Sequence, residues 1–246
     1  MKEQLQNWES FCQFHTGDWY GATARYQLDG EEIASWQVVT KLLVSNDGNE
    51  IHHQDCLIFA DGETEVKTFG PYLKPKTNAL FLGSSFCWGS KQVSAGAPFL
   101  FEIGFRVEDW RALMFTKYDA NDDLNYVSFS FAHLHSFAEA ESQDLADATL
   151  AQWWGWRSQT ISPDWIVSTL NCSAYQPLQD LSDDSLTLHL PHGIAVHCPK
   201  HIAVGQDFAI AAEWQSHPTQ LQRGIGSFSS SCFTHFTLEE FRSEPM

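Results

Sequence analysis

From about residue 17 onward, apolar and polar positions alternate with a period of two. Ala34, Trp36, Val38, Thr40, Leu42 and Val44 interleave with more polar neighbours, which is the signature of a half-buried strand. Asn46-Asp47-Gly48-Asn49 then gives a hairpin signal. The next strand is expected over 50–59 and ends at Asp61-Gly62. Phe99, Phe101, Ile103 and Phe105 line one face of a further strand, followed by strands over 110–118 and 124–131. Ahead of all these, residues 2–13 read as a short polar helix with Trp8 and Phe11 on one side. The pattern predicts a short N-terminal helix and then an all-β chain.

Between 135 and 152 the pattern changes. AEAESQDLADATLAQ is acidic, rich in Ala and free of β-branched runs, so it reads as a helical linker. Strands resume near 161–170, 185–190, 193–198, 207–214, 222–228 and 232–241. Two domains are expected, 1–140 and 141–246.

The two halves also match each other. Lys91, Val93, Gly96, Phe99, Phe101, Ile103 and Phe105 recur at constant spacing as Lys200, Ile202, Gly205, Phe208, Ile210, Ala212 and Trp214. Each half opens with a Trp-x-Gly element, Trp19-Tyr20-Gly21 and Trp153-Trp154-Gly155. One supersecondary plan used twice explains the match.

Charge narrows the partners. Against 14 Lys and Arg stand 31 Asp and Glu, a net −17 over 246 residues. Such a surface repels phosphate backbones and anionic headgroups, so nucleic acid and membranes are poor partners, and a protein with a basic face is a better one. Six cysteines lie far apart without a CxxC pair. The N-terminus lacks a secretory apolar run, and no stretch of about 18 apolar residues could insert in a membrane. Reduced thiols in a cytoplasmic compartment are expected.

Gly17-Asp18-Trp19 matches the Gly-x-Trp that opens the first strand of lipocalin and calycin barrels. There the indole closes one barrel end under an Arg from the last strand. The corresponding run FSFAHLHSF has no Arg, and Arg242 ends the second half instead. LQNWESFCQFHTGDWYGATARYQLDGE, LPHGIAVHCPKHIAVGQDFAIAAEW and QRGIGSF resemble the DUF3598 family of cyanobacteria and plastids across nearly the whole chain. The resemblance implies two calycin-like antiparallel β-barrels. The family's plant members include a chloroplast biogenesis factor required for ATP synthase, which implies an assembly factor acting on the F1 head. A more remote similarity is to the bilin lyases of phycobiliproteins.

The candidate chemistry is sparse. His189, His192, His197 and His201 crowd one segment, but without the fixed spacing of a metal site. No nucleophile elbow, phosphate loop or dinucleotide fingerprint occurs. The expectation is a non-enzymatic binding protein without a resident cofactor. A bilin, another tetrapyrrole or another small hydrophobic ligand is the alternative cargo, with a lyase-like activity as the one enzymatic option. For such a ligand Arg25, His52, Asp55 and Arg111 are the candidate contacts. Trp19 and Trp154 are the expected barrel plugs, and Trp156 with Arg157 the expected partner anchor. Phe99, Phe101, Phe105, Phe129 and Phe131 are expected to fill the first barrel, while Ala212 leaves room in the second.

Overall fold

The computed structural model describes residues 2–75, 78–138, 153–178 and 185–243. Helix α1 (Lys2–Phe14) leads into β1 (Gly17–Tyr26), β2 (Glu32–Val44), β3 (Glu50–Ile58), β4 (Thr64–Leu73), β5 (Leu80–Leu82), β6 (Ser85–Gly89), β7 (Phe99–Val107), β8 (Trp110–Tyr118) and β9 (Leu124–Leu134). The second half contributes β10 (Trp154–Ile161), β11 (Val167–Thr169), β12 (Ser185–Leu190), β13 (Ile194–Pro199), β14 (Phe208–His217), β15 (Gln220–Ser229) and β16 (Cys232–Arg242).

These strands form two antiparallel sheets. The first has nine strands in the order β4-β3-β2-β1-β9-β8-β7-β6-β5, and the second has seven in the order β11-β10-β16-β15-β14-β13-β12. Matched strand for strand, the second order repeats the stretch from β2 to β5 of the first and lacks only counterparts of β3 and β4. The same winding therefore occurs in both halves.

Closed barrels were expected, and the hydrogen-bond ladders are open. Among the described residues no strand pairing joins β4 to β5 or β11 to β12. The first sheet curls instead until side chains near its two ends meet. Tyr72 of β4 packs edge-on against Trp88 of β6, ring centroids 5.4 Å apart, although the two strands lie near opposite ends of the ladder. Helix α1 fills the remaining gap. Its Phe11 touches Tyr72 at 5.8 Å and stacks on Phe81 at 5.1 Å. Asn7 donates to the Ala79 carbonyl (2.9 Å) and accepts from the Phe81 amide (2.8 Å). One side-chain amide thus satisfies backbone groups at the start of the edge strand β5 and just before it, groups that would otherwise invite another chain. The helical linker expected over 135–152 falls mostly on 139–152, outside the described residues. Residues 135–138 are not helical.

One hydrophobic core lies between the two sheets. Phe99, Phe101, Ile103 and Phe105 share it with Ile194, Val196, Ile210, Ala212, Trp214, Phe228 and Phe236. Phe99 and Phe101 meet Phe228 edge-on at 5.4 and 5.2 Å, and Phe208 stacks on Phe228 at 4.4 Å. The Phe series expected to fill the first barrel therefore faces away from it, into the second sheet. Period-two spacing groups residues on one face without saying which side of the sheet that face becomes. Two glycines of β15 receive these knobs. A Cβ on Gly226 would lie 2.3 Å from the Phe101 ring, and one on Gly224 would lie 2.8 Å from Ile103. Backbone bonds stitch the seam, among them Leu124 to Lys200 (2.9 Å) and Phe233 to Lys91 (2.8 Å).

Candidate functional site

Because odd-numbered residues of β7 enter the shared core, Glu102 and Gly104 point to the opposite face, inside the curl. On β8, Ala112, Met114 and Tyr118 belong to the core, which leaves Arg111, Leu113 and Phe115 inside. Register adds the rest: Glu102 sits opposite Trp88 on one side and Phe115 on the other, and Thr40 opposite Asp55 and Trp19. Gly-x-Trp brings β1 in at the base, where Trp19 is fully buried and donates its indole N–H to the His15 carbonyl at 2.9 Å.

The interior is aromatic with a charged centre. Asp55 accepts from the Thr40 hydroxyl at 2.6 Å and lies 3.0 Å from His53 Nε2, while His53 Nδ1 meets the Tyr72 hydroxyl at 2.9 Å. Burial pushes the Asp55 carboxyl up, but His53, Thr40 and Arg111 outweigh it and hold the group below its ordinary value. Burial also pushes the Tyr72 phenol up, reinforced by the charges of Glu102 and Asp55.

Glu102 and Arg111 differ from these four satisfied residues. Glu102 is 5% exposed and Arg111 4%. Burial pushes the Glu102 carboxyl up to about 8, Asp55 adds to this, and Arg111 opposes it. Burial likewise lowers the Arg111 guanidinium to about 10, against the pull of Glu102 and Asp55. Among the described residues neither makes a hydrogen bond or ion pair, and Arg111 Nε is wholly buried without a partner. Arg111 instead lies over Trp19, 4.5 Å from the ring centroid. Arg106 approaches the same indole at 5.2 Å but is anchored: it donates to the Phe14 and Glu108 carbonyls and pairs with Asp109. The arginines over the Gly-x-Trp indole thus come from β7 and β8, not from the last strand.

In the second sheet the corresponding face is filled. Arg223 donates twice to Glu213, to the Gln176 carbonyl and toward Glu239 at 3.6 Å, and it stacks on Tyr175 and Phe241. The segment carrying Tyr175 and Leu178 lies over this face, Leu178 packing on Ala195 and Ala211.

Residues 4–129 match the domain of unknown function DUF3598, N-terminal. This chain belongs to the DUF3598 family. A solved structure of a DUF3598 protein of unknown function from Nostoc punctiforme aligns over 97% of this chain and 99% of its own, with a TM-score of 0.80 at 19% identity. That likeness establishes a shared fold. A tesB protein of Mycobacterium avium subspecies paratuberculosis and a putative thioesterase II of Thermobifida fusca align at TM-scores of only 0.18 and 0.16, with 7% and 10% identity, and carry no argument. No curated protein matches the chain.

Within this DUF3598 fold the residues singled out from the sequence part company. Asp55 and Arg111 share the interior. Arg25 lies away from them, its guanidinium over Tyr126 (4.2 Å) and Trp36 (5.2 Å). His52 faces outward, its side chain 58% exposed beside Glu50, and its neighbour His53 is the inward histidine. Trp154, expected as a plug, is 44% exposed, and the buried indole of that segment is Trp153, packed with Leu221 and Phe241. Trp156 occupies a β-bulge and is 56% exposed. Arg242 covers its ring at 3.8 Å, while Arg157 pairs with Glu240. The crowded histidines disperse: His197 bonds Thr187, His192 stacks on Phe131 and His201 meets Asp123. Glu102, His53, Tyr72 and Thr40 were not anticipated. In FLFEIGF a single acid between aromatics reads as the solvent face, and only the curl turns that face inward.

Proposed function

We propose that this DUF3598 chain is a non-catalytic binding protein that holds a small hydrophobic ligand inside the curl of its first sheet. The observation that carries the reading is the buried Arg111, which faces that interior beside the buried Glu102 and whose Nε has no hydrogen-bond partner among the described residues. A buried ion without a partner costs on the order of several kcal/mol. Uncompensated groups of this kind concentrate at functional sites. Around them Trp19, Trp88, Tyr72 and Phe115 supply the apolar walls and few polar groups typical of a ligand site. A tetrapyrrole is one such ligand.

The reactive side chains near the curl suit binding better than catalysis. Burial raises the Cys87 and Cys198 thiols, the latter to about 12, so neither supplies thiolate near neutral pH. His53 is engaged at both nitrogens, and its hydroxyl neighbour Tyr72 holds its proton more tightly than usual.

Native mass spectrometry and an absorption spectrum of the protein isolated from its own host test the reading. The expected result is an added mass that denaturation releases, and a bare, colourless chain would contradict it.

The exposed pair Trp154 and Trp156 supports a second reading, an assembly factor for the ATP synthase F1 head. Exposed indoles anchor interfaces, and the net charge of −17 suits a basic partner face. Trp156→Ala should then reduce co-purification of F1 subunits from the host, and undiminished capture would remove this edge from the interface.

A further inference from the structure

The structure assigns Arg111 as the anchor for the carboxylate of an organic acid with an apolar body, bound inside the first sheet. This assignment rests on the binding-protein reading above and names the chemistry of its ligand.

Four arginines are buried or half-buried among the described residues; Arg25, half-buried with its Nε also unpartnered, lies between the rings of Tyr126 and Trp36, and the other three show the contrast. Arg223 is satisfied by Glu213, Glu239 and the Gln176 carbonyl, and Arg106 by two carbonyls and Asp109. Arg111 is as buried as Arg223, yet none of its N–H groups meets an acceptor among the described residues. A guanidinium stays charged at neutral pH even when burial weakens it, and its planar fork is matched by a planar carboxylate in a bidentate pair. The ring of Trp19 beneath it fixes one face of that fork, leaving its edge for the ligand.

A cationic ligand fits less well. Asp55 already accepts from Thr40 and lies against His53. Glu102, raised to about 8, is mostly protonated at neutral pH. A phosphate draws on several cationic donors at once, and Arg106, the other cation on Trp19, is already occupied. The ligand's body has a defined track. Leu113 and Phe115 follow Arg111 at successive inward positions of β8, and Glu102 lies between Phe115 and Trp88 in register. All three apolar side chains are half-buried; Leu113 and Trp88 pack against the cluster of Trp19, Phe81 and Phe86, and Phe115 lies outside that cluster.

Glu102 also sets a pH dependence. The titratable groups that interact with it are Arg111 on β8, Asp55 on β3, Tyr72 on β4 and Cys87 on β6. Once Glu102 ionises above about pH 8 it adds a second negative charge beside Asp55. Carboxylate affinity therefore falls as pH rises through that range, and Glu102→Gln should abolish the fall.

Calorimetric titration of the full chain with dodecanoate and with dodecan-1-ol tests the assignment. At pH 7 the acid should bind one to one, at least about 10-fold more tightly than the alcohol, as a charge-assisted pair requires. Arg111→Met should weaken the acid about 10- to 100-fold and leave the alcohol unchanged. Arg111→Lys keeps the charge without the fork and should fall between. The comparison in the unsubstituted protein needs no variant to fold. Equal affinity for acid and alcohol would overturn the carboxylate assignment and leave the binding-protein reading standing. So would release of a molecule without an acidic group from the host-isolated protein. Failure of both probes to bind would overturn the assignment, and a bare host-isolated chain would take the binding-protein reading with it.

Discussion

Arg111 and Arg223 each lie buried in one of the two sheets, with opposite surroundings. Arg223 sits among Glu213, Glu239, a carbonyl and two aromatic rings. Removing one member of such a network leaves the other charges buried and unpaired. Arg223→Met should therefore cost about 3–5 kcal/mol in denaturant unfolding. Arg111 leaves no hydrogen-bonded partner behind, only its pull on Asp55 and Glu102 and its contact with Trp19, so Arg111→Met should cost less, no more than about 1 kcal/mol. A loss at Arg111 as large as that at Arg223 would mean that it serves the fold and not a ligand. Glu102 gives the matching pH test. Its folded value of about 8 lies above the ordinary carboxylate value, so the native state binds the extra proton and stability falls as pH rises from about 4.5 through 8. Glu102→Gln should raise the melting temperature relative to the unsubstituted protein at pH 9 and not at pH 5. Equal effects at both values would show that Glu102 does not carry the raised proton affinity.

At the scale of strands, the sheets meet by insertion of Phe101 and Ile103 into the gaps at Gly226 and Gly224. A methyl group at Gly226 would overlap the Phe101 ring at 2.3 Å, so Gly226→Ala should cost about 1–3 kcal/mol. Combining it with Phe101→Leu should cost less than the sum of the two, read in a double-mutant cycle, and strict additivity would contradict the contact. Strand pairing of this kind explains what was legible in the sequence. The alternation in 34–44 and 99–105 located β2 and β7 because one face of each is apolar. The same alternation does not say that the Phe face looks outward, so the expected aromatic filling lies on the other side of the sheet and nothing in the pattern singles out Glu102. A one-residue offset reverses a strand's face, and it separates the expected His52 from the inward His53 and the expected Trp154 from the buried Trp153. Strand β4 was missed since TEVKTFGPYL carries Gly70-Pro71, a break tolerated at an edge strand and no guide to pairing. β5 and β6 are too short for any period to register. The Gly-x-Trp element was readable, and its arginine was not, because Arg111 reaches Trp19 from a neighbouring strand across the curl.

For the molecule as a whole, the expected division at 140/141 lies outside the described residues, yet the two sheets share one core. A single cooperative unfolding transition is therefore expected, with coincident signals from far-UV circular dichroism and tryptophan fluorescence. A chain cut within 139–152 should give halves that stay soluble only together, and a stable isolated second half would contradict the shared core. Among the described residues no helix is long and apolar enough to cross a membrane. The two sheets differ in their buried arginines: in the second, Arg223 belongs to a closed ion network under Tyr175 and Phe241, while in the first, Arg111 lies without a hydrogen-bond partner among the described residues beside the cluster of Trp8, Phe11, Trp19, Phe81 and Phe86. The most direct test is a crystal structure of the protein as isolated from its own host. The account predicts electron density for a small molecule beside Leu113, Phe115 and Trp88, with two oxygens within hydrogen-bond reach of Arg111. An interior packed shut by its own side chains, with Arg111 paired to a protein carboxylate, would contradict it.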